Sequence, residues 1–428
     1  MLVGSTVRRV AIIGGTRIPF ARSMGAYAQY SNQDLLTATL KGVVERHRLQ
    51  DVTLGEVAAG AVMKHSKDFN LVRESVLGSG LAPETPGVDL QRACGTSLET
   101  ALLVGAKIAL GQIDSGIAAG VDSASDVPIV YPRSYQQLLL NSARGHSLLE
   151  KLSPWFGLRP KHFKPITPGV TEPRTGLSMG QSCELMARQW GIKREDQDQL
   201  ALLSHQKAAA AYDSGFMNDL VIPFGGLTAD NNMRRDSSLE KLAKLRPVFD
   251  PGPGGTLTAG NSTPLTDGAS AVLLTSEAWA QARNLPVQAW LTYGKVAAVD
   301  FVNKEGLLMA PAYAVPRMLQ DAGLTLQDFD YYEIHEAFAA QVLCTLKAWE
   351  SRDFCRERLG LPDALGSIDR AKLNVVGSSL AVGHPFAATG ARILGVLAKL
   401  LATHGGKRGL ISVCTAGGMG VTAIVEKG

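Results

Sequence analysis

Four residues of this chain combine a reactive side chain with a setting suited to nucleophilic and acid–base chemistry. In "QRACGTSLETA" Cys94 is followed by Gly95, Thr96 and Ser97, residues of a turn or cap, so its thiol reads as exposed at the start of a helix. Unpaired N–H groups and the helix dipole favour a thiolate there, which makes Cys94 a candidate nucleophile. "AVGHPFAATGAR" places His384 before Pro385, a residue suited to the first position of a helix. A histidine at an equivalent turn can take the thiol proton if the fold brings the two turns together. "ISVCTAGGMG" puts Cys414 at a strand end ahead of glycines with accessible N–H groups, and "YYEIHEAFAAQ" puts His335 and Glu336 between another strand and a helix. Alone, each has a bland reading: a lone cysteine is more often an inert small residue and a lone histidine a packing residue. Four such groups at strand-to-helix or strand-to-glycine junctions form a constellation.

The elements that must position them repeat. "GVDLQRACGTSLETALLVGAKIALGQIDSGIAAGV" reads as strand, turn, helix with Leu98, Ala101, Leu102, Val104 and Ile108 on its apolar face, glycine stop and strand. "LNVVGSSLAVGHPFAATGARILGVLAKLLATHGGKRGLISVC" repeats that plan, with a helix through Ile393, Leu397 and Leu400 and a stop at Gly405 and Gly406. The identity between the copies is low, so order and spacing carry the duplication. Alternating strands and helices predict an α/β fold with buried sheets. Between the copies, prolines 128, 132, 154, 160, 165, 168 and 173 mark a loop-rich excursion, followed by helices in "SMGQSCELMARQWG" and "REDQDQLALLSHQKAAAAYDSG". "TLTAGNSTPLTDGASAVLLTS" then returns through a turn and a helix start to a buried strand. The expected division is 1–127 plus 245–278 as one half carrying the nucleophile, 128–244 as an insertion, and 279–428 as the second half.

Composition narrows the setting. At 428 residues the chain exceeds one ordinary core, and 45% hydrophobic with 19% charged residues is typical of a soluble protein. A net charge of +4 allows anionic small molecules, but no basic run with interleaved aromatics marks a nucleic-acid binder. Five cysteines without a C-x-x-C pair indicate neither a disulfide framework nor a zinc site, so no metal is expected and a reducing cytoplasm fits best. The start, "MLVGSTVRRVAIIGGTRIPF", enters a strand too soon for a signal peptide, its "IIGG" lacks the dinucleotide-binding spacing, and no apolar run reads as long enough to span a bilayer.

"TRIPFA", "RACGTSLETA", "TAGNSTPLTDGASAVLL", "HEAFAAQ", "GHPFAATGAR" and "CTAGGMG" together resemble the thiolases, the acyl-CoA C-acyltransferases, over essentially the whole chain. His335-Glu336-Ala337-Phe338 stands where many thiolases have asparagine first, and this histidine form is similar to the thiolase subunit of the fatty-acid oxidation trifunctional complex. The resemblance implies two similar βαβαβαββ halves in a five-layered α-β-α-β-α core with an inserted loop domain. It implies thiolytic cleavage of 3-ketoacyl-CoA by coenzyme A, with both as substrates and no separate cofactor. Cys94 would carry the acyl group, His384 would accept its proton, and Cys414 would protonate the departing acetyl-CoA enolate. His384 and His335 would hold the enolate oxygen, directly or through a water, and the backbone N–H groups of Cys94 and Ala416 would hold the oxyanion of the thioester intermediate. Met179 and Thr263 would line the pantetheine channel with Phe338 nearby; Ser178 stands where some thiolases have histidine. Decarboxylating ketoacyl synthases share the fold but have a histidine in place of Cys414.

Within "YQQLLLNSARGHSLLEKLSPWFGLRPKHFKP", Leu138, Leu148, Leu149, Leu152, Trp155 and Phe156 fall roughly on one helical face, with basic residues outnumbering Glu150. The resemblance implies for 134–165 a peripheral contact with an anionic membrane, a cover for the acyl tunnel, or a contact with a hydratase/dehydrogenase α subunit; a plain solvated lid is the simpler alternative. It also implies a cytoplasmic homodimer or homotetramer. The competing functions are an acetoacetyl-CoA thiolase running in the condensing direction and a non-catalytic acyl-CoA-binding scaffold subunit. Retention of Cys94, His335, His384 and Cys414 together argues against the scaffold.

Overall fold

The computed structural model describes residues 7–428; residues 1–6, on which the expectation of no leader partly rests, lie outside the described residues. Ten strands, β1 (Val10–Arg17), β2 (Ala21–Arg22), β3 (Glu56–Ala59), β4 (Gly87–Asp89), β5 (Ser115–Asp122), β6 (Thr266–Ser276), β7 (Ala289–Ala298), β8 (Tyr331–Ile334), β9 (Arg408–Thr415) and β10 (Met419–Lys427), join into one mixed sheet. Its order is β4-β3-β5-β6-β1-β7-β10-β9-β8, with β2 paired to β6. The series β1-β6-β5-β3 is matched by β7-β10-β9-β8: two antiparallel pairings followed by a parallel one. Even β4 has a trace of a counterpart, a parallel bridge from Tyr332 to Leu373.

Alternation along β1 explains the layering. Val10 and Ile12 point to a core shared with Leu98, Val104, Ile393 and Leu397, while Ala11 and Ile13 point to another shared with Leu35, Leu40 and Val43. The helices Thr96–Ala109 and Thr389–Thr403 therefore lie between the two halves of the sheet. Helix Asn32–His47 covers one outer face, and helices Ala310–Ala322 and Ala339–Glu350 cover the other. β5 and β6 are buried along their whole length, as sheet covered on both faces requires.

Close contact between the inner helices is set by small residues. A Cβ on Gly390 would lie 2.4 Å from the backbone N of Leu98, so only glycine lets the two helix starts meet. The "IIGG" motif has the same use: a Cβ on Gly15 would lie 2.7 Å from Cα of Gly395. Stretch Phe386–Thr403 is apolar and long enough to cross a bilayer, contrary to the reading of the sequence, but 83% of it is buried and it is a core helix.

Three local expectations change. The residues before β6 form a turn with no helix start, and β6 follows directly. Helix Thr389–Thr403 begins four residues beyond Pro385, which instead caps the short 3₁₀ turn Phe386–Ala388. The amphipathic stretch is not one helix: Gly145 separates helix Arg133–Arg144 from Leu148–Leu152 and the 3₁₀ turn Ser153–Gly157. Leu138 is buried, whereas Leu148, Leu149 and Phe156 are 75%, 73% and 81% exposed.

Candidate active site

Cys94 sits on the bend between β4 and the first inner helix. Thr96 Oγ1 accepts from the N–H of Arg92 (2.9 Å) and donates to the carbonyl of Ala93 (2.7 Å), closing a tight loop that holds Ala93 at φ 43°. An alanine in this left-handed region costs about 1–2 kcal/mol, strain of the kind that aims a side chain at a site. The N–H groups of Ala416 and of Cys94 itself are directed at the sulfur and favour its anion. Burial is the larger effect, reinforced by Asp122 and Glu172, and pushes the thiol up to about 12. Cys94 is partly exposed and its N–H donors are present, but desolvation of the sulfur outweighs them and favours the neutral thiol at rest.

His384 is buried on the matching loop of the second half, held by its N–H to Thr266 Oγ1 (3.1 Å). Its Nδ1 is 2.6 Å from Thr389 Oγ1, whose hydroxyl donates to the carbonyl of Pro385 at 3.2 Å. With that hydrogen committed, Oγ1 accepts, so Nδ1 carries the imidazole hydrogen and Nε2 keeps its lone pair. His335, fully buried after β8, places its Nε2 3.2 Å from His384 Nε2. Between two ring nitrogens only one hydrogen fits, and it belongs to His335. Burial holds His384 at about 3 and His335 well below the ordinary histidine value, so both rings are neutral.

Cys414 follows in β9 and is 1% exposed; burial, then the neighbouring Cys94, pushes its thiol well above the usual cysteine value. Beyond it, Gly417 and Gly418 take φ of 75° and 67°, a turn open to glycine that presents the N–H of Ala416 to Cys94. His335 and His384 thus meet directly and Cys414 lies near Cys94, with Cys94 partly exposed and the other three buried, where the two inner helices begin. The site contains an unprotonated imidazole nitrogen, an N–H-bearing imidazole, two neutral thiols and a pair of backbone donors, groups that can serve as base, hydrogen-bond donors, nucleophile and acid.

Three groups around it were not found from sequence. Asp122 ends β5 and accepts the N–H groups of Val62 (2.9 Å), Met63 (2.8 Å) and, across the two halves, Ala387 (2.7 Å). Glu172 reaches in from the inserted segment to accept the N–H of Gly417 at 2.7 Å. Arg392, buried on the second inner helix, donates to Ser379 Oγ at 2.7 Å, and Ser379 Oγ lies 2.9 Å from His335 Nδ1. Charged residues at the end of an apolar strand and inside an apolar helix are legible signals for Asp122 and Arg392; nothing local marks Glu172.

Thr263 is fixed by its N–H and hydroxyl to the carbonyl of Ala337, both at 3.1 Å, beside the His335 segment. It lines a cavity of about 430 Å³ with Phe249, Leu242, Leu245 and the cations Arg22, Arg234 and Lys241. Met179 and Phe338 are not among its lining residues: Met179 packs against the outer core and Phe338 is 8% exposed, edge-on to Phe249 with centroids 5.8 Å apart. Ser178 caps helix Met179–Gln189, its Oγ accepting the N–H of Gln181 at 3.2 Å. A second cavity, about 540 Å³, has Glu336 in its lining, and neither cavity is lined by Cys94, His335, His384 or Cys414. Among the described residues no group of three or more His, Cys, Asp or Glu could hold a metal ion.

Residues 10–278 match the family described as Thiolase, N-terminal domain, and residues 287–427 match Thiolase, C-terminal domain. The chain belongs to the thiolase family. This thiolase is 41% identical over 424 residues to proteins named 3-ketoacyl-CoA thiolase from Yersinia pestis (strain Pestoides F) and Yersinia pseudotuberculosis serotype O:1b, covering 98% of this chain and 97% of theirs. Its fold matches the crystal structure of the Bacillus anthracis acetyl-CoA acetyltransferase with a TM-score of 0.82, and that of human mitochondrial 3-ketoacyl-CoA thiolase with 0.79. Each structure is 28% identical and covers 99% of this thiolase and 100% of the matched chain.

Proposed function

We propose that this thiolase is an acetyl-CoA C-acyltransferase that cleaves 3-ketoacyl-CoA with coenzyme A in fatty-acid β-oxidation. The observation that carries the chemistry is the pair of contacts of His384, Nδ1 to Thr389 Oγ1 at 2.6 Å and Nε2 to His335 Nε2 at 3.2 Å, from which a lone pair on His384 Nε2 beside the Nε2–H of His335 follows.

With a neutral thiol and a neutral imidazole at rest, the Cys94 proton moves to His384 Nε2 as sulfur bonds to C3 of the substrate. The N–H groups of Cys94 and Ala416 hold the resulting oxyanion. Collapse breaks C2–C3 and leaves the electron pair on acetyl-CoA as an enolate. The Nε2–H groups of His384 and His335 receive its oxygen, and the Cys414 thiol protonates its carbon. The Cys414 thiolate then takes the proton of incoming coenzyme A, whose sulfur attacks the thioester. Cys94 leaves as thiolate and recovers its proton from His384, so every group returns to its starting state.

The 430 Å³ cavity suits the nucleotide and pantetheine of coenzyme A: Arg22 and Arg234, with Lys241 paired to Asp236, line it together with apolar side chains and Thr263. Arg234 and Lys241 come from the segment 128–244, which supports assigning that insertion to coenzyme A binding. The exposed Leu148, Leu149 and Phe156 support peripheral contact of 134–165 with an anionic membrane in the cytoplasm. Co-sedimentation with phosphatidylglycerol vesicles tests this, and no binding by the purified protein would remove the membrane contact. Light scattering on the same sample distinguishes dimer from tetramer.

The activity is tested by intact mass spectrometry of the protein mixed with 3-ketohexadecanoyl-CoA or 3-ketooctanoyl-CoA and coenzyme A, with acetyl-CoA release followed in parallel. An acyl adduct on Cys94 with acetyl-CoA formed is expected. The absence of both adduct and acetyl-CoA would overturn the reading.

A further inference from the structure

The reaction above contains a moment at which the resting hydrogen bond between the two histidines fails. Once His384 has taken the Cys94 proton, its Nε2 bears hydrogen and can no longer accept from His335. Something else must then keep the hydrogen of His335 on Nε2, facing the enolate, rather than on Nδ1.

The far side of the ring supplies it. Arg392 is 4% exposed and its guanidinium can only donate; Nη2 gives a hydrogen to Ser379 Oγ at 2.7 Å and Nη1 one to Ser378 Oγ at 3.2 Å. Ser379 Oγ is thereby already an acceptor, and its own hydroxyl hydrogen has His335 Nδ1, 2.9 Å away, as partner. Among the described residues no other acceptor takes that hydroxyl. His335 Nδ1 must then accept, which leaves the ring hydrogen on Nε2. Arg392 stays a cation: burial lowers it only to about 10. Of the two nearest buried acids facing it, Glu333 has no hydrogen-bond partner on either oxygen and is pushed up to about 8, and Glu336 is committed to Ser204, Asn374 and the N–H of Leu380, so neither takes a hydrogen from the guanidinium.

We propose that Ser379 is a positioning residue which, oriented by Arg392, locks His335 in its Nε2–H tautomer and so keeps the enolate hole armed while His384 is protonated. A planar fork spanning two adjacent serine hydroxyls explains arginine here, since a lysine ammonium could not address both in fixed geometry. The inference rests on the proposed activity and divides it: acylation of Cys94 needs His384 and the backbone hole, whereas enolisation needs His335 as well.

The test uses acetyl-CoA in D₂O with the full-length protein. Intact mass reads acetylation of Cys94, and the mass of recovered acetyl-CoA reads α-proton exchange, in which a C–H proton passes to the Cys414 thiolate and a deuteron returns. Ser379→Ala is expected to slow exchange by roughly 10–100-fold, the scale of a lost oxyanion donor or its supporting partner, with acetylation kept within about threefold. Ser379→Thr, which keeps the hydroxyl, is expected to restore exchange to within about threefold of the parent. Equal loss of both reactions, or no loss of exchange, would overturn the inference.

Histidine ¹⁵N spectra of the unaltered protein give a reading that depends on neither the variants nor the activity. His335 should show a lone-pair Nδ1 and a hydrogen-bearing Nε2 in the Cys94-acetylated enzyme, or, if no acetylation occurs, at rest. The opposite tautomer would overturn the inference, while absence of acetylation alone would overturn the proposed activity.

Discussion

Glu172 accepts a 2.7 Å hydrogen bond from the N–H of Gly417, tying the inserted segment to the turn that presents the N–H of Ala416 to Cys94. The same carboxylate raises the Cys94 thiol by its charge. Position and charge can be separated. Glu172→Gln keeps an acceptor oxygen and removes the charge, so alkylation of Cys94 by iodoacetamide at pH 8 should quicken by roughly threefold, as a modest fall in thiol pKa requires. Glu172→Ala frees the turn and should instead slow coenzyme A-dependent deacylation by about tenfold or more. Slower alkylation in the glutamine variant would contradict the electrostatic role.

Asp122 joins the halves at the site, because the N–H of Ala387 lies two residues from the Pro385 that follows His384. In Asp122→Asn the amide NH₂ must face either Ala387 or the pair Val62 and Met63, all donors. The expected cost is about 1–3 kcal/mol in urea unfolding, with slower acylation of Cys94. Burial also raises the Asp122 carboxyl from 3.8 to about 7. The folded protein then holds this proton more tightly than the unfolded chain. The associated stability is present below about pH 4 and lost as pH rises through 7. Part of the decline between pH 5 and 8 should therefore vanish in the asparagine variant; an unchanged pH slope would show that Asp122 is ionised throughout.

Much of this arrangement is legible in the sequence because it is local. The glycine-bounded helices, the strand ends at Cys414 and His335, and the repeated strand-turn-helix plan all follow from spacing and turn residues, and the sheet order repeats with them. What the sequence does not disclose depends on distant contacts. The state of the Cys94 thiol is decided by desolvation in the folded site, which outweighs the local N–H groups. Glu172 reaches Gly417 across 245 positions. A break at Gly145 turns one apparent amphipathic helix into two elements.

Both active-site histidines are neutral because they are buried, His384 at about 3 and His335 lower than the usual range. Ring ¹⁵N shifts of both should stay those of neutral imidazole from pH 8 down to pH 5; a midpoint near 6.5 for either would contradict this. The sign for stability is opposite to that of Asp122. The unfolded chain binds protons at these histidines below about 6.5 while the folded protein does not, so their contribution is complete above that value and is lost as pH falls toward 3. His384→Gln should flatten this acid limb between pH 6.5 and 4.

Thr389 gives a sharper test of the base, because Thr389→Val preserves shape and removes only the oxygen that accepts from His384 Nδ1 at 2.6 Å. Without it the ring has no reason to keep its hydrogen on Nδ1. The alternative tautomer puts hydrogen on Nε2, where it opposes the Nε2–H of His335 and leaves no lone pair for the Cys94 proton. Stability should fall by about 1–3 kcal/mol, the worth of the two hydrogen bonds lost, to His384 Nδ1 and to the Pro385 carbonyl, plus the cost of an unpaired buried N–H wherever the first tautomer persists. Acylation of Cys94 should slow by about 10–100-fold, the range seen when the partner that orients a catalytic or metal-bound imidazole is lost. Thr389→Ser retains the oxygen and should acylate within about threefold of the parent. A valine variant as fast as the serine variant would mean that Pro385 and the backbone alone hold the His384 tautomer, and that the lone pair on Nε2 does not depend on the threonine hydroxyl.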